Sequence, residues 1–359
     1  MQSFDTDFDT DKVDAFAGQM LDVLNGGAIA LMTAIGHRTG LFDTMAALPS
    51  ATSEQIAQAA QLNERYVREW LNAMVTGRVV DYEYNAQVYT MPPEHAALLT
   101  RAASPDNLAV ITQYIADLGK VEPQIIECFH NGGGVPYSAY TNFQQVMAED
   151  SGQSVVAMLE SAILPLVPHL SDALTQGIKV LDVGCGSGRA LIKLAKLFPA
   201  SHFTGYDFSA EGIHRARSVA HAEGLTNIEF HIQDAAHFNE VARYNLICTF
   251  DAIHDQARPD LVLQNIYRAL RPDGIYLMQD IRASSHVDKN LDHPLAPMLY
   301  TISCMHCMTV SLAEGGMGLG TVWGQEKAVE MLNAAGFQQI DIKQLEHDPF
   351  NDYYIIHKQ

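Results

Sequence analysis

Apolar residues recur at helical spacing through residues 12–48, with interruptions at Gly26-Gly27 and at Gly40. That pattern predicts one helix over 13–24 and a second over 28–39. Together they are more apolar than a small domain usually covers, which points to burial against a second copy of the chain. Thr52 and Gln55 have the spacing of a capping box opening a helix that runs through Ala60. A turn at Gln61-Leu62-Asn63 leads to a helix from Glu64 to about Thr76, stopped at Gly77. Residues 79–82 and 87–90 then read as a hairpin around Glu83-Tyr84-Asn85-Ala86. Helix, turn, helix and hairpin in this order outline a winged helix.

Residues 101–176 read as mostly helical, broken by one loop at 131–136 whose three successive glycines would be costly inside an element. Tyr137, Tyr140 and Phe143 follow as core packing or as a pocket wall. From Gly177 the period changes. Apolar runs at 178–182, 202–207, 228–233, 246–250 and 275–280 alternate with helical stretches at 189–197, 210–223 and 259–270. Such βαβ alternation predicts an α/β fold with a mainly parallel sheet and right-handed crossovers. The end breaks the rule. A helix over 324–335 precedes strands at 339–345 and 353–357, and the link at 346–352 is too short for a crossover helix. Those two strands should form an antiparallel hairpin. Three regions follow: a helical winged-helix part over 1–100, a helical connector over 101–176, and a Rossmann-like part over 177–359.

Charge narrows the function. Twenty-two basic residues against 42 acidic ones give a net charge of −20, a field that repels nucleic-acid backbones and acidic membranes. Arg65 and Arg68 fall on the helix that would read DNA, but Glu64 and Glu69 flank them. The acidic N-terminus lacks the basic and apolar regions of a secretion signal, and no apolar run approaches the length of a bilayer span. The cysteine count is odd (Cys128, Cys185, Cys248, Cys304 and Cys307), which suits reduced thiols in the cytoplasm. Cys304-Met305-His306-Cys307 has the spacing of half a zinc site but no matching second pair, so no metal is expected.

Asp182-Val183-Gly184-Cys185-Gly186-Ser187-Gly188 follows an apolar strand and opens a helix. Glycines there let a ligand approach the backbone, and the helix N-terminus offers free N–H groups to a carboxylate or a phosphate. A dinucleotide loop would require glycine at position 189, which is arginine. The pattern resembles the first motif of the class I S-adenosylmethionine (SAM)-dependent methyltransferases. Asp207, at the next strand end, is placed to accept from two ribose hydroxyls. The resemblance implies that Asp182, Gly184, Cys185, Gly186 and Gly188 surround the methionine part of SAM. It also implies that Asp234 and Ala235 meet the adenine, with Phe208 and Phe250 near the ring. It covers about residues 172–359 and includes the terminal hairpin of a seven-stranded sheet.

The fourth strand of this region runs into Phe250-Asp251-Ala252-Ile253-His254-Asp255. This stretch is similar to the small-molecule O-methyltransferases of the caffeate and hydroxyindole type, which carry a His-Asp pair here and use an N-terminal winged helix to dimerise. The resemblance implies that His254 is the general base beside Asp255, with Asp280 as a supporting acid. A second acid of that family has no counterpart after Gly315-Gly316. The chemistry is consistent: imidazole at neutral pH can take a phenolic proton as the new bond forms. The expected protein is a homodimeric cytoplasmic enzyme methylating a small-molecule hydroxyl. N- or C-methylation and a SAM-sensing winged-helix regulator are the alternatives. The segment after the fifth strand caps the site in related enzymes, and Met305, Met308 and Trp323 suit an acceptor pocket or plain packing.

Overall fold

A computed structural model describes residues 9–358. The chain forms two compact units that divide between Ala116 and Asp117. The stretch 101–176 is thereby shared between them.

In the first unit one helix runs from Thr10 to Thr39 without a break. The sequence pattern predicts two helices here, because glycine is costly in a helix interior. That cost is only about 1 kcal/mol per glycine. Asp9 caps the start by accepting from the Asp11 and Lys12 amides, and Gly40 ends the helix. Read through Gly26-Gly27, the helix is long and apolar enough, by length and composition alone, to cross a membrane. This corrects the expectation that no run has that length. Its last third is buried at Thr33, Ala34, Gly36 and His37, whereas Phe16, Leu21, Val23 and Leu24 are each more than half exposed.

Ser53–Ala60 opens with the expected capping box, and Glu64–Thr76 starts from an Asn63 cap. Their apolar faces close on Phe42, Ile56, Leu71 and Met74 around Trp70, whose ring meets Phe42 edge-on at 5.3 Å. The indole N–H donates to the Met32 carbonyl at 2.8 Å. The wing is short: β1 (Asp81–Glu83) pairs antiparallel with β2 (Val88–Thr90), and Ala51 bridges Tyr89.

The second unit is built on a seven-stranded sheet. Its strands are β3 (Lys179–Val183), β4 (His202–Asp207), β5 (Ile228–Ile232), β6 (Tyr244–Phe250), β7 (Leu270–Ile281), β8 (Gln339–Leu345) and β9 (Asp348–His357), in the order β5-β4-β3-β6-β7-β9-β8. The first five are parallel. β9 runs antiparallel between β7 and β8, which makes the hairpin the sequence predicts. Alternation along β3 sends Val180 into a core with Leu191, Phe203 and Ile213, and Leu181 into another with Val262, Leu263 and Ile266. A helical layer thus covers each face.

β9 starts five residues earlier than its apolar pattern suggests. Its start carries the buried polar residues Asp348, Asn351 and Asp352: Asp348 accepts from Gln279 Nε2 at 3.0 Å, Asn351 Nδ2 at 3.1 Å and the Tyr353 hydroxyl at 2.7 Å. The chain passes from β3 to β4 on one side and returns to β6 on the other. That reversal opens a crevice at the carboxyl ends of β3, β4 and β6, the usual ligand site of such sheets.

Candidate active site

The loop Gly184–Gly188 joins β3 to the helix Arg189–Leu197. Gly184 has φ 80°, and a Cβ there would lie 2.5 Å from that of Ala252. Gly186 has φ 54° but open space where a Cβ would project, so a ligand can lie directly against the backbone. The Gly184 and Cys185 amides donate to the Tyr206 carbonyl at 2.8 and 3.1 Å. The Gly186 amide donates to Asp207 Oδ2 at 2.7 Å, and the Ser209 amide to Oδ1 at 2.8 Å. Asp207 therefore fixes the loop, and each oxygen keeps a lone pair for a hydroxyl. Arg189 donates to the Ala148 carbonyl and ties the helix Phe143–Ser151 to the loop.

Asp182 lies beneath the loop, 3% exposed, with Oδ1 unpartnered among the described residues. Burial and then the Asp207 charge push its carboxyl up to about 8. An unpaired buried acid is costly unless a ligand supplies a donor or a positive charge. Just past β5, Asp234 accepts from the Ala236 amide at 2.8 Å and pairs with His237 at 2.7 Å, while Ala235 is buried. Phe250 packs on the core under the loop. Phe208 is 56% exposed, and its ring meets Tyr137 at 5.5 Å. An open backbone over Gly186, an orphaned acid below it and a carboxylate at the next strand end fit a ligand with an ammonium, a sulfonium and a ribose.

Beyond β6 the chain turns at Asp251, φ 48°, whose amide donates to the Gln279 carbonyl at 3.0 Å. The turn presents His254, 4% exposed, to Asp280 on β7, which is fully buried. His254 Nδ1 meets Asp280 Oδ1 at 2.8 Å. The same oxygen accepts from the Trp323 indole at 3.0 Å and from the Ile281 amide at 2.9 Å. Burial works to depress the imidazole, but the Asp280 carboxylate and the Cys307 thiol outweigh it, and the pKa stands well above the ordinary histidine value. Burial raises Asp251 far above the carboxylate range, with help from Asp280. Asp255 accepts from Gln256 Nε2 at 3.4 Å, and burial lifts its carboxyl to about 6.

A roof closes over these strand ends. Tyr137, Tyr140 and Phe143 gather around His306, with Phe143 stacked on the imidazole at 3.8 Å. Gln144 links Tyr137 to the Ser209 hydroxyl. Where the resemblance implies a second acid, the chain instead clasps the His254 loop. The Met317 amide donates to the Ala257 carbonyl at 3.0 Å, and the Ser311 hydroxyl to that of Gln256 at 3.0 Å. His254 and Asp280 are brought together as expected; Trp323 on Asp280 and Cys307 against His254 are contacts the sequence pattern does not announce. The one signal was the Cys-Met-His-Cys run in the capping segment. Among the described residues no group of three or more His, Cys, Asp or Glu is arranged to hold a metal ion.

Residues 174–352 match the family of methyltransferase domains, and residues 27–101 match the Rv2258c-like winged HTH domains. A malonyl-[acyl-carrier protein] O-methyltransferase of Bacillus cereus is 31% identical over 150 residues, covering 41% of this chain and 49% of that protein. The chain thus spans about half the length of the curated relative. In fold, human N-acetylserotonin methyltransferase, solved with SAM, superposes with a TM-score of 0.67 at 18% identity, covering 100% of this chain and 99% of that one. The mitomycin 7-O-methyltransferase MmcR gives 0.68 at 16% identity, over 97% and 100% of the two chains. A methyltransferase domain on a seven-stranded sheet, joined to an Rv2258c-like winged helix, makes this chain a member of the winged-helix class I SAM-dependent methyltransferases.

Proposed function

We propose that the chain transfers a methyl group from SAM to a hydroxyl of a small molecule, with His254 as general base. The observation that carries this is the buried His254–Asp280 pair at 2.8 Å, one strand away from the glycine loop. Asp280 holds Nδ1 and leaves Nε2 as the nitrogen that takes the acceptor proton. Trp323 holds Asp280 in turn and keeps the ring's angle fixed. Asp182 and the open backbone at Gly186 would receive the amino-acid end of the donor. Asp207 would receive the ribose, and Asp234 with Ala235 the adenine, flanked by Phe208 and Phe250. When bound, SAM supplies a methyl already activated by its sulfonium. Asp255, raised to about 6 by burial, is itself drawn down by the His254 charge.

A phenolic acceptor suits the aromatic roof of Tyr137, Tyr140 and Phe143 and the strength of an imidazole base. The O-methyltransferases among the relatives support oxygen over nitrogen or carbon. The apolar face of Thr10–Thr39 supports a homodimer formed through the first unit. Five free thiols suit a reducing cytoplasm. Calorimetry with SAM and with its demethylated product tests the reading. Micromolar binding of both, followed by methyl transfer to a panel of phenols, is the expected result. Binding of neither removes the donor, and transfer to amines alone removes the oxygen acceptor.

A further inference from the structure

The acid that the donor's adenine would meet is held by residues with no part in the proposed function. Asp234 follows β5 and caps the short turn Ala235–His237. Its Oδ1 accepts from the Ala236 amide at 2.8 Å, and its Oδ2 meets His237 Nδ1 at 2.7 Å. A carboxylate only accepts, so the hydrogen of that second bond sits on Nδ1 and the imidazole is the donor. Each oxygen keeps a further lone pair, and the Asp234 side chain is 57% exposed, open to a ligand. The turn itself is anchored from another element. Asn265 Nδ2 donates to the Ala235 carbonyl at 3.1 Å, and Arg268 donates to the Phe238 carbonyl at 2.6 Å and to Asn265 Oδ1 at 2.7 Å. Both residues lie on the helix Pro259–Ala269, and Asn265 is buried. Gln233 Nε2 holds the Asp234 carbonyl at 2.9 Å. The backbone is thus fixed from below and the carboxylate from the side. Aspartate χ2 has only a broad preference, so without His237 the plane of the carboxylate would be held at Oδ1 alone.

We propose that His237 is a positioning residue for the donor's base: it fixes the Asp234 carboxylate to receive the exocyclic amino group of adenine, and so makes the site select an aminopurine over an oxopurine. A purine with an amino group at its 6-position gives the carboxylate a donor. One with a carbonyl there sets oxygen against oxygen and offers no hydrogen. An acceptor ordered before binding costs less to engage, and His237 supplies that order. The inference rests on the reading of Asp234 as the adenine contact of SAM.

The experiment is calorimetry on the whole protein with two ligands: demethylated SAM, and the same compound carrying hypoxanthine in place of adenine. The wild-type protein should prefer the adenine compound. In His237→Ala that compound should lose affinity by about threefold to tenfold, while the hypoxanthine compound changes by less than about twofold, so the preference narrows. His237→Asn, whose side-chain amide can replace Nδ1 as the donor, should restore most of the preference. His237 is 74% exposed and its removal costs little packing; a thermal melt checks the fold. Unchanged affinity for the adenine compound in His237→Ala would overturn the positioning role, as would an equal loss for both compounds. Wild-type protein that binds both compounds alike removes the selectivity and leaves the donor assignment standing. Binding of neither removes the donor assignment itself.

Discussion

Two loops leave neighbouring strands of one sheet, and they are built on opposite principles. The loop after β3 works through its backbone: glycines and amides turned by Asp207, a partner 21 positions from Gly186. The loop after β6 works through one side chain, His254, whose partners come from β7 and from the roof, at separations of 26 and 53 positions (254 to 280 and 254 to 307). Backbone recognition is written in a short stretch of chain. A tuned imidazole is assembled from distant parts, and its pKa belongs to the assembly.

The largest break in that comparison is His254→Ala. Turnover should fall by about 10²–10⁴-fold, the usual worth of a positioned base. Calorimetric SAM affinity should be unchanged, because the other loop is intact; equal loss of both would mean that the loops are one site energetically. Gly186→Val tests the converse. The side chain fills the open space over the backbone, so SAM affinity should drop by about tenfold or more, while the pH dependence of residual turnover stays where it was.

Asp280→Asn separates tuning from presence. The carboxylate raises the His254 pKa, so its loss lowers it. The acid limb of kcat/KM, which rises as the imidazole deprotonates, should then move to lower pH by about one unit or more, with a smaller maximum. A limb that stays put would show that another group is the base. The smallest effect belongs to Asp182. With its pKa at about 8 it is mostly protonated at pH 7, and a bound ammonium would drive the proton off. Calorimetry in buffers of different ionisation enthalpy should register release of up to about one proton at pH 7 and almost none at pH 9.

How legible each part was follows from the same contrast. Asp182, Gly184, Gly186 and Asp207 were readable because strand, loop and helix are consecutive and each residue type has one geometric use. His254 and Asp280 were readable as strand-end residues, and the hairpin as two strands without a crossover. Trp323 and Cys307 were not, because nothing local ties them to a histidine dozens of positions away. The early start of β9 was hidden because Asp348 is buried and polar, satisfied by Gln279 and Tyr353 rather than by period. The uninterrupted first helix was hidden because glycine's cost is small against a helix that continues on both sides.

The chain holds two tryptophans, and each unit has one. Trp70 sits in the winged-helix core, its indole on the Met32 carbonyl. Trp323 donates to the carboxylate that raises the His254 pKa. Replacing either with phenylalanine would leave a single native fluorophore. One variant would follow melting of the N-terminal unit; the other would convert events at Asp280, including a change in its charge, into a shift of emission wavelength.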